Sequence, residues 1–228
     1  MKKSIVVLAA AALFAAGCGS SGGAHSTSAA PAVDNPWFPL RPGTTYVYTG
    51  EKDHKPDRDV VTVTHATKVI NGVRCTAVRD LLYERGKLAE RTTDWYAQDR
   101  AGNVWYYGED TAELASSGKV TSTEGTWQAG VHGARAGIYM PAQPRVGSSA
   151  TQEYYRGHAE DHFKVLSLNA SVQSPAAVSA HALLTMEWTP LEPGVIDHKL
   201  YVRGIGVVKE QTIRGGSELA VLQSVSRD

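Results

Sequence analysis

The chain has 228 residues, with 23 Lys and Arg side chains against 23 Asp and Glu. This length is sufficient for one domain with a substantial hydrophobic core. No run of basic residues stands out, so the sequence disfavours nucleic-acid binding and also an electrostatic attachment to anionic lipid.

The first residues have the pattern of an export signal. Lys2 and Lys3 precede an apolar run at residues 5–16, which is too short to span a bilayer. Small residues at 15–17 then precede Cys18, and this arrangement resembles a bacterial lipobox. The resemblance implies that residues 1–17 are a lipoprotein signal peptide and that Cys18 carries a diacylglyceryl group and usually an acyl chain such as palmitate. Ordinary secretion is the alternative, because Ala15 stands where a leucine is typical.

The segment after the lipidation site is predicted to be a tether. Residues 18–35 are rich in Gly, Ser and Ala and lack periodicity, so they should form a flexible coil that holds the domain roughly 20–25 Å from the membrane. The predicted location is therefore the cell envelope, on the exported side of a membrane. With Cys18 lipidated, Cys75 is the only remaining thiol, which excludes an intramolecular disulfide. The VRCTAV pattern favours an inert, buried cysteine.

Residues 36–228 are predicted to form a single β domain. The proline-rich residues 35–43 should pack as an extended segment that closes one end of the core. A strand at residues 44–51 follows. Asn71-Gly72 is a strong signal for a two-residue hairpin, so residues 60–70 should pair with residues 73–83. Another turn is expected at residues 85–87.

The most aromatic stretch, residues 92–109, also reads as a β-hairpin. Asp99 to Asn103 supply turn chemistry, and β-branched or aromatic residues lie on both sides of them. Five large rings occur within thirteen residues: Trp95, Tyr96, Trp105, Tyr106 and Tyr107. Because strand side chains alternate, these rings should divide between the two faces of the sheet, with one set in the core.

The pattern weakens after residue 109, and residues 125–147 are predicted to be irregular. Strands return between residues 151 and 226, separated by turns rich in glycine. No sustained helical periodicity is present after the signal peptide. The fold class is therefore predicted as all-β and antiparallel, with about 10–13 strands in a β-barrel, a half-open clam or a sandwich that hides its edges.

Common catalytic signatures are absent, which favours a non-enzymatic protein without a cofactor. One alternative is a metal site built from His158, Glu160 and His162, because alternate residues share a strand face. Their spacing of about 6.5–7 Å along one strand is too wide, so ligands from a neighbouring strand would be needed. The simpler interpretation is a polar turn. Another acidic group, Glu187, Glu192 and Asp197, is expected to be solvated rim charge.

Aromatic side chains suggest a second kind of site. Tyr and Trp rings provide large contact areas and keep a polar group that can orient a ligand. The candidates to line an apolar pocket are Tyr46, Tyr48, Trp95, Trp105, Tyr107 and Trp127. Packing of these rings in the core is the competing interpretation.

Five segments together resemble a family of uncharacterised bacterial secreted proteins and lipoproteins. They are DWYAQD from Asp94, GNVWYYGE from Gly102, GIYMPAQP from Gly137, QEYYRGHAED from Gln152 and EWTPLEP from Glu187. The resemblance implies a secreted or lipid-anchored β protein without an established activity, so it transfers no catalytic residue. Its pattern includes the AED of residues 159–161 but does not require the flanking histidines.

These observations lead to three functional hypotheses. The first is a non-enzymatic envelope lipoprotein, anchored to the membrane through Cys18, that binds an apolar or amphiphilic ligand or a partner peptide. The second is a metal-binding protein or metal-dependent enzyme that uses His158, Glu160 and His162. The third is a structural interaction module with a fully packed core.

Overall fold

The computed structural model describes residues 32–52 and 54–228, and all regular structure in this part of the chain is β. Its fifteen strands are β1 (Thr44–Lys52), β2 (Lys55–Ile70), β3 (Val73–Glu84), β4 (Lys87–Gln98), β5 (Val104–Leu114), β6 (Val120–Ser122), β7 (Trp127–Gln128), β8 (Arg135–Met140), β9 (Ser149–Thr151), β10 (Glu153–Tyr154), β11 (His162–Gln173), β12 (Val178–Trp188), β13 (Ile196–Val202), β14 (Gly206–Arg214) and β15 (Leu219–Arg227). Cys18 and most of the predicted tether lie outside the described residues. Within the described residues, no helix is long and apolar enough to span a membrane.

The strands form one antiparallel sheet that curls into a nearly closed barrel. Its order is β10-β8-β5-β4-β3-β2-β1-β15-β14-β13-β12-β11-β9, with β6 and β7 paired to β5. The predicted all-β antiparallel fold is confirmed. The strand number exceeds the prediction because residues 125–147, predicted to be irregular, contain β7 and β8, and β8 pairs with β5.

A short bent segment joins the two edges of this sheet. β9 pairs with β11 at one edge, whereas β10 pairs with β8 at the other. Only Gln152 separates β9 from β10, and its backbone N–H donates to the carbonyl of Asp161 at 2.7 Å. The two edges of the sheet, which would otherwise be exposed, therefore pair with neighbouring parts of one segment. This pairing closes the barrel at this position.

The predicted hairpins are confirmed. Asn71 and Gly72 both have positive φ angles, 48° and 79°, which match the two-residue turn that joins β2 to β3. Arg85 and Gly86 make a similar turn between β3 and β4. Cys75, near the first turn, is fully buried, and burial raises the pKa of its thiol to about 12. Its burial and its raised pKa both indicate an inert thiol, as predicted.

The turn between β4 and β5 is organised by one carboxylate. Asp99 accepts hydrogen bonds from the backbone N–H groups of Ala101 and Asn103 at 2.9 Å, from the Asn103 amide at 2.9 Å and from the Trp105 indole at 2.8 Å. Burial raises the pKa of Asp99, but these four hydrogen bonds together outweigh it and lower the pKa below its ordinary value.

Replacing Asp99 with alanine should therefore lower the free energy of unfolding by about 2 kcal/mol at neutral pH, because four donors lose a charged acceptor. A carboxylate with a lowered folded-state pKa stabilises the fold above its unfolded pKa of about 3.9, and this contribution is lost as the pH falls through the folded value. Urea unfolding at pH 7 and at about pH 3 should show the difference between wild type and variant shrinking at the lower pH. An equal difference at both pH values would contradict this explanation.

One end of the barrel is plugged by the segment at residues 33–42, as predicted for residues 35–43. The folded part begins earlier than the predicted domain boundary, because Val33 is only 1% exposed and forms a bridge with Leu40. Asn35 donates to the carbonyls of Gly102 and Pro141 at 2.9 and 3.0 Å. These contacts hold the plug against the loops at this end of the barrel, which we call the plugged end.

Candidate functional site: an acidic cavity inside the barrel

The interior of the barrel contains a cavity of about 310 Å³ that lies beyond the plug. Alternation along the strands points one set of side chains into this space. The most common residues in that set are carboxylic acids. Thirteen of them line the cavity: Asp57, Asp59, Asp80, Glu90, Asp94, Glu109, Glu113, Glu124, Glu153, Asp161, Glu187, Glu210 and Glu218.

The charge of this cavity differs sharply from that of the whole chain. Only two lysines, Lys52 and Lys199, and one histidine, His158, accompany the thirteen carboxylates. More than half of the 23 acidic residues of a chain with no net charge therefore face one interior space. A cavity lined by one sign of charge and enclosed by low-dielectric walls concentrates the field and attracts ions of the opposite sign.

An apolar chamber of about 200 Å³ adjoins the acidic part, next to the plug. Phe38 and Leu40 of the plug line one side of it, and side chains from β1, β2, β3, β4, β8, β13, β14 and β15 line the rest, including four carboxylates at the border with the acidic part. Several residues, including Asp94, Tyr96 and Lys199, line both spaces, so the two are continuous. The interior therefore changes from apolar beside the plug to acidic at the other end.

A cluster of rings forms the wall at the junction of these two parts. Tyr96 stacks on Tyr106 at a centroid distance of 4.8 Å, and Tyr139 meets Tyr96 edge-on at 5.1 Å. Phe38 contacts both Tyr96 and Tyr139. The Tyr106 hydroxyl donates to Asp94 at 2.6 Å. Burial raises the pKa of Tyr96, Tyr106 and Tyr139, so these hydroxyls stay protonated and the rings present neutral π faces beside carboxylates.

One ammonium group is already held inside the cavity. Lys199 on β13 lies 2.9 Å from a carboxylate oxygen of Glu187 and 3.4 Å from one of Glu210. Burial lowers the pKa of Lys199, but the attraction of Glu187 and Glu210 outweighs it and raises the pKa well above the ordinary value. The interior thus accommodates a primary ammonium between two carboxylates and near tyrosine rings.

At the end of the barrel away from the plug, carboxylates lie close to each other. Burial raises the pKa of Asp57, and repulsion by Glu218 raises it further, although Lys52 acts in the opposite direction. Glu187, deeper in the barrel, also has a raised pKa, because of its burial. Burial therefore disfavours the ionised forms of Asp57 and Glu187, so a cation placed beside either carboxylate would be stabilised.

The six predicted aromatic residues do not form one site. Tyr46 and Tyr48 line the apolar chamber, and Trp127 packs edge-on against Tyr106 and donates to Glu153 at 2.9 Å. Trp95 points away from the cavity but is only 7% exposed, and the Lys68 ammonium lies 3.6 Å from its ring centroid.

Trp105 and Tyr107 alternate with Tyr106, so they also point outward, and Trp105 donates to Asp99 instead. The six rings are therefore divided between the two faces of the sheet and do not line one common space. The alternation of side chains along a strand predicted that the rings divide between the two faces of the sheet, but it did not show which face is the inner one. In the structure, the inner face carries Tyr96 and Tyr106.

The three candidate metal ligands are also separated. His158 stacks on Tyr155 and lies 3.4 Å from Glu124, whereas Glu160 accepts from the backbone N–H of Gly157 at 2.6 Å. His162 stacks on Trp188. Among residues 32–52 and 54–228, no group of three or more His, Cys, Asp or Glu side chains could hold a metal ion. The arrangement does not support the predicted metal site, because the turn sends each side chain to a different partner.

Glu187, expected to be solvated rim charge, is instead a buried cavity residue that accepts from Thr185 at 3.0 Å and from Tyr201 at 3.2 Å. The sequence did contain a signal for the cavity as a whole. Acidic residues recur at even spacings along the observed strands β2 and β5, as in Asp57 and Asp59 or Glu109 and Glu113. Carboxylates at period two are typical of an exposed sheet face, so sequence alone would place them outside.

Comparison with known proteins shows the fold. No protein-family model matches the chain, and no curated protein is similar to it in sequence. A predicted exported protein with a YmcC-like fold from Bacteroides fragilis matches with a TM-score of 0.50 and 13% identity, over 84% of this chain and 99% of the other. A predicted lipoprotein from Parabacteroides distasonis matches with a TM-score of 0.44 and 10% identity, over 84% of this chain and 99% of the other. The chain therefore shares the architecture of an exported protein with a YmcC-like fold.

Proposed function

We propose that this protein is a lipid-anchored envelope protein that binds a cationic amphiphile inside its barrel. The ligand would carry one or more amine or guanidinium groups on an apolar body. The observation that carries the proposal is the excess of thirteen carboxylates over two lysines in a cavity that continues into an apolar chamber. The lipobox at Cys18 and the exported relative in fold support the location.

The cavity suits an organic cation better than a metal ion. Its volume of about 310 Å³ is comparable with small-molecule sites, and it has both apolar walls and a few polar groups that could orient a ligand. In the described residues, by contrast, no cluster of side chains has the geometry to hold a metal. Tyrosine faces beside carboxylates are a favourable environment for ammonium groups. This proposal therefore narrows the expected apolar or amphiphilic ligand to an amphiphile that carries positive charge.

The experiment compares three ligands that share one apolar chain and differ only in the head group. Octylamine, octanol and octanoate would be titrated into the chain from Gly19 onward, which keeps every described residue. We expect octylamine to bind and to raise the melting temperature by mass action, and octanoate to bind at least about 100-fold more weakly because it meets like charge. Octylamine binding should weaken below about pH 4, where carboxylates become protonated. Equal binding of all three ligands, or of none, would refute the proposal.

A pair of matched variants locates the site. The double variant Glu113→Gln with Glu124→Gln removes two cavity carboxylates and should weaken octylamine binding at least about tenfold. The control, Glu51→Gln with Asp110→Asn, makes the same change in net charge at exposed positions that do not line the cavity. It should change binding by less than about twofold. Equal effects in the two variants would place the binding outside the barrel.

A further inference from the structure

The acidic cavity has a consequence for the outer surface. Two of the 23 basic residues line the cavity, and Lys2 and Lys3 lie in the predicted signal peptide, which leaves nineteen basic residues elsewhere. Only ten acidic residues remain outside the cavity, including Asp53, which is not among the described residues. The chain is neutral overall, but its exterior has a clear positive excess. The neutral net charge of the chain therefore does not oppose an attachment of this surface to anionic lipid.

Exposed arginines gather at the plugged end. They come from different parts of the chain: Arg41 in the plug, Arg74 beside the β2–β3 turn, Arg100 in the β4–β5 turn, Arg203 after β13 and Arg227 at the end of β15. Three acidic residues lie at the same end, Asp34, Asp99 and Asp228. Asp99 and Asp34 are engaged in local hydrogen bonds, the first with its own turn and the second with Gln98 at 2.6 Å. Guanidinium groups in excess at one end favour an anionic partner, particularly phosphate.

Exposed valines project from the same end. The β2–β3 hairpin extends beyond the start of β1, because β1 pairs with β2 only up to Thr62 whereas β2 continues to Ile70. Val69 near its tip is 59% exposed. The β11–β12 hairpin projects in the same direction and carries Val178, which is 76% exposed. Apolar tips between basic side chains are typical of proteins that lie against a lipid interface.

The position of the predicted lipid anchor agrees with this surface. The described chain enters the barrel at the plugged end, where Val33 pairs with Leu40. Cys18, the predicted lipidation site, precedes Ala32 by only fourteen residues. A lipid on this segment would keep the plugged end, rather than the acidic end, near the bilayer.

We propose that the plugged end, through Arg74, Arg100 and Arg203 and the valines at the hairpin tips, docks onto a bilayer that contains anionic lipid. The docked barrel presents the acidic part of its cavity away from the membrane. Each arginine near such a surface contributes about a fivefold gain in affinity. This inference uses a different surface from the proposed ligand site, and the two can fail independently.

The test is sedimentation of the chain from Gly19 onward, without lipid, with vesicles. We expect binding to phosphatidylcholine vesicles that contain roughly 30% phosphatidylglycerol, loss of that binding at high salt, and little binding to phosphatidylcholine alone. The triple variant Arg74→Gln, Arg100→Gln and Arg203→Gln should bind about 100-fold more weakly.

The matched control is Arg85→Gln, Lys87→Gln and Lys119→Gln, three exposed residues in or next to turns at the opposite end of the barrel. It makes the same change in net charge and should reduce binding less than about fivefold. Equal losses in both triple variants, no preference for anionic vesicles, or tighter binding of duplex DNA than of vesicles would overturn the proposal. Circular dichroism of each variant would show that the loss is not due to unfolding.

Discussion

Replacing Lys199 with methionine should lower the free energy of unfolding by about 3–5 kcal/mol, the largest effect that we expect from a single substitution. The side chain of Lys199 is 16% exposed, and its ammonium lies between Glu187 and Glu210. Methionine has a similar length and shape, so the variant removes the charge and leaves little extra space. It would leave Glu187 buried without its nearest cation, which is much more costly than replacing both partners.

Urea unfolding at neutral pH would measure this loss, with Lys164→Met on the exposed side of β11 as the control. The control should change stability by less than about 0.5 kcal/mol. Adding Glu187→Gln to Lys199→Met should restore part of the lost stability, because the orphaned charge is then removed. A loss below about 1 kcal/mol in Lys199→Met would show that the buried ion pair is not a major contribution.

The pH dependence provides a second check on the same variant. Burial already raises the pKa of Glu187 above 4.5, and removing Lys199 removes the main influence that lowers it. An acid with a raised folded-state pKa destabilises the fold as the pH rises from its unfolded value through its folded value. The deficit of Lys199→Met should therefore be large at pH 7 and should shrink as the pH falls to about 4. A deficit that grows at low pH would contradict this assignment.

Replacing Gly137 with alanine should destabilise the fold by about 3 kcal/mol, because it obstructs the closure of the barrel. A Cβ atom at this position would lie 2.4 Å from the carbonyl oxygen of Thr151 and 2.5 Å from the carbonyl carbon of Gln152. Both contacts are with backbone, so no side-chain rotation can relieve them. The strand β8 and the β9–β10 segment would have to separate.

Gly72→Ala is the matched control, since a Cβ there would meet nothing within 4 Å. Its φ of 79° makes the same substitution cost about 1 kcal/mol through backbone strain alone. Hydrogen exchange should also accelerate in β9 and the start of β11 in Gly137→Ala but not in Gly72→Ala. A destabilisation no greater than that of Gly72→Ala would mean that closure at this position contributes little.

Features that depend only on residues close together in the sequence could be predicted from it. The Asn71-Gly72 and Arg85-Gly86 turns require positive φ angles, which Asn71, Gly72 and Gly86 adopt readily. The turn at Asp99 follows from a side chain that bonds its own backbone. These turns, with residues at a period of two between them, were sufficient to predict an all-β antiparallel fold. The proline-rich plug was also evident, because its apolar residues had no strand periodicity and needed a place in the core.

The site could not be predicted in the same way, because alternation is symmetric between the two faces of a strand. Trp95 and Tyr96 are adjacent in sequence, yet one packs under Lys68 and points away from the cavity, whereas the other faces the cavity. Which face becomes the inside depends on how distant strands pair and on where β9 and β10 close the sheet. That closure places thirteen carboxylates together and leaves the arginines outside. The sequence by itself determined the strands, the turns and a neutral total charge, whereas only the tertiary structure separated that charge into an acidic interior and a basic exterior.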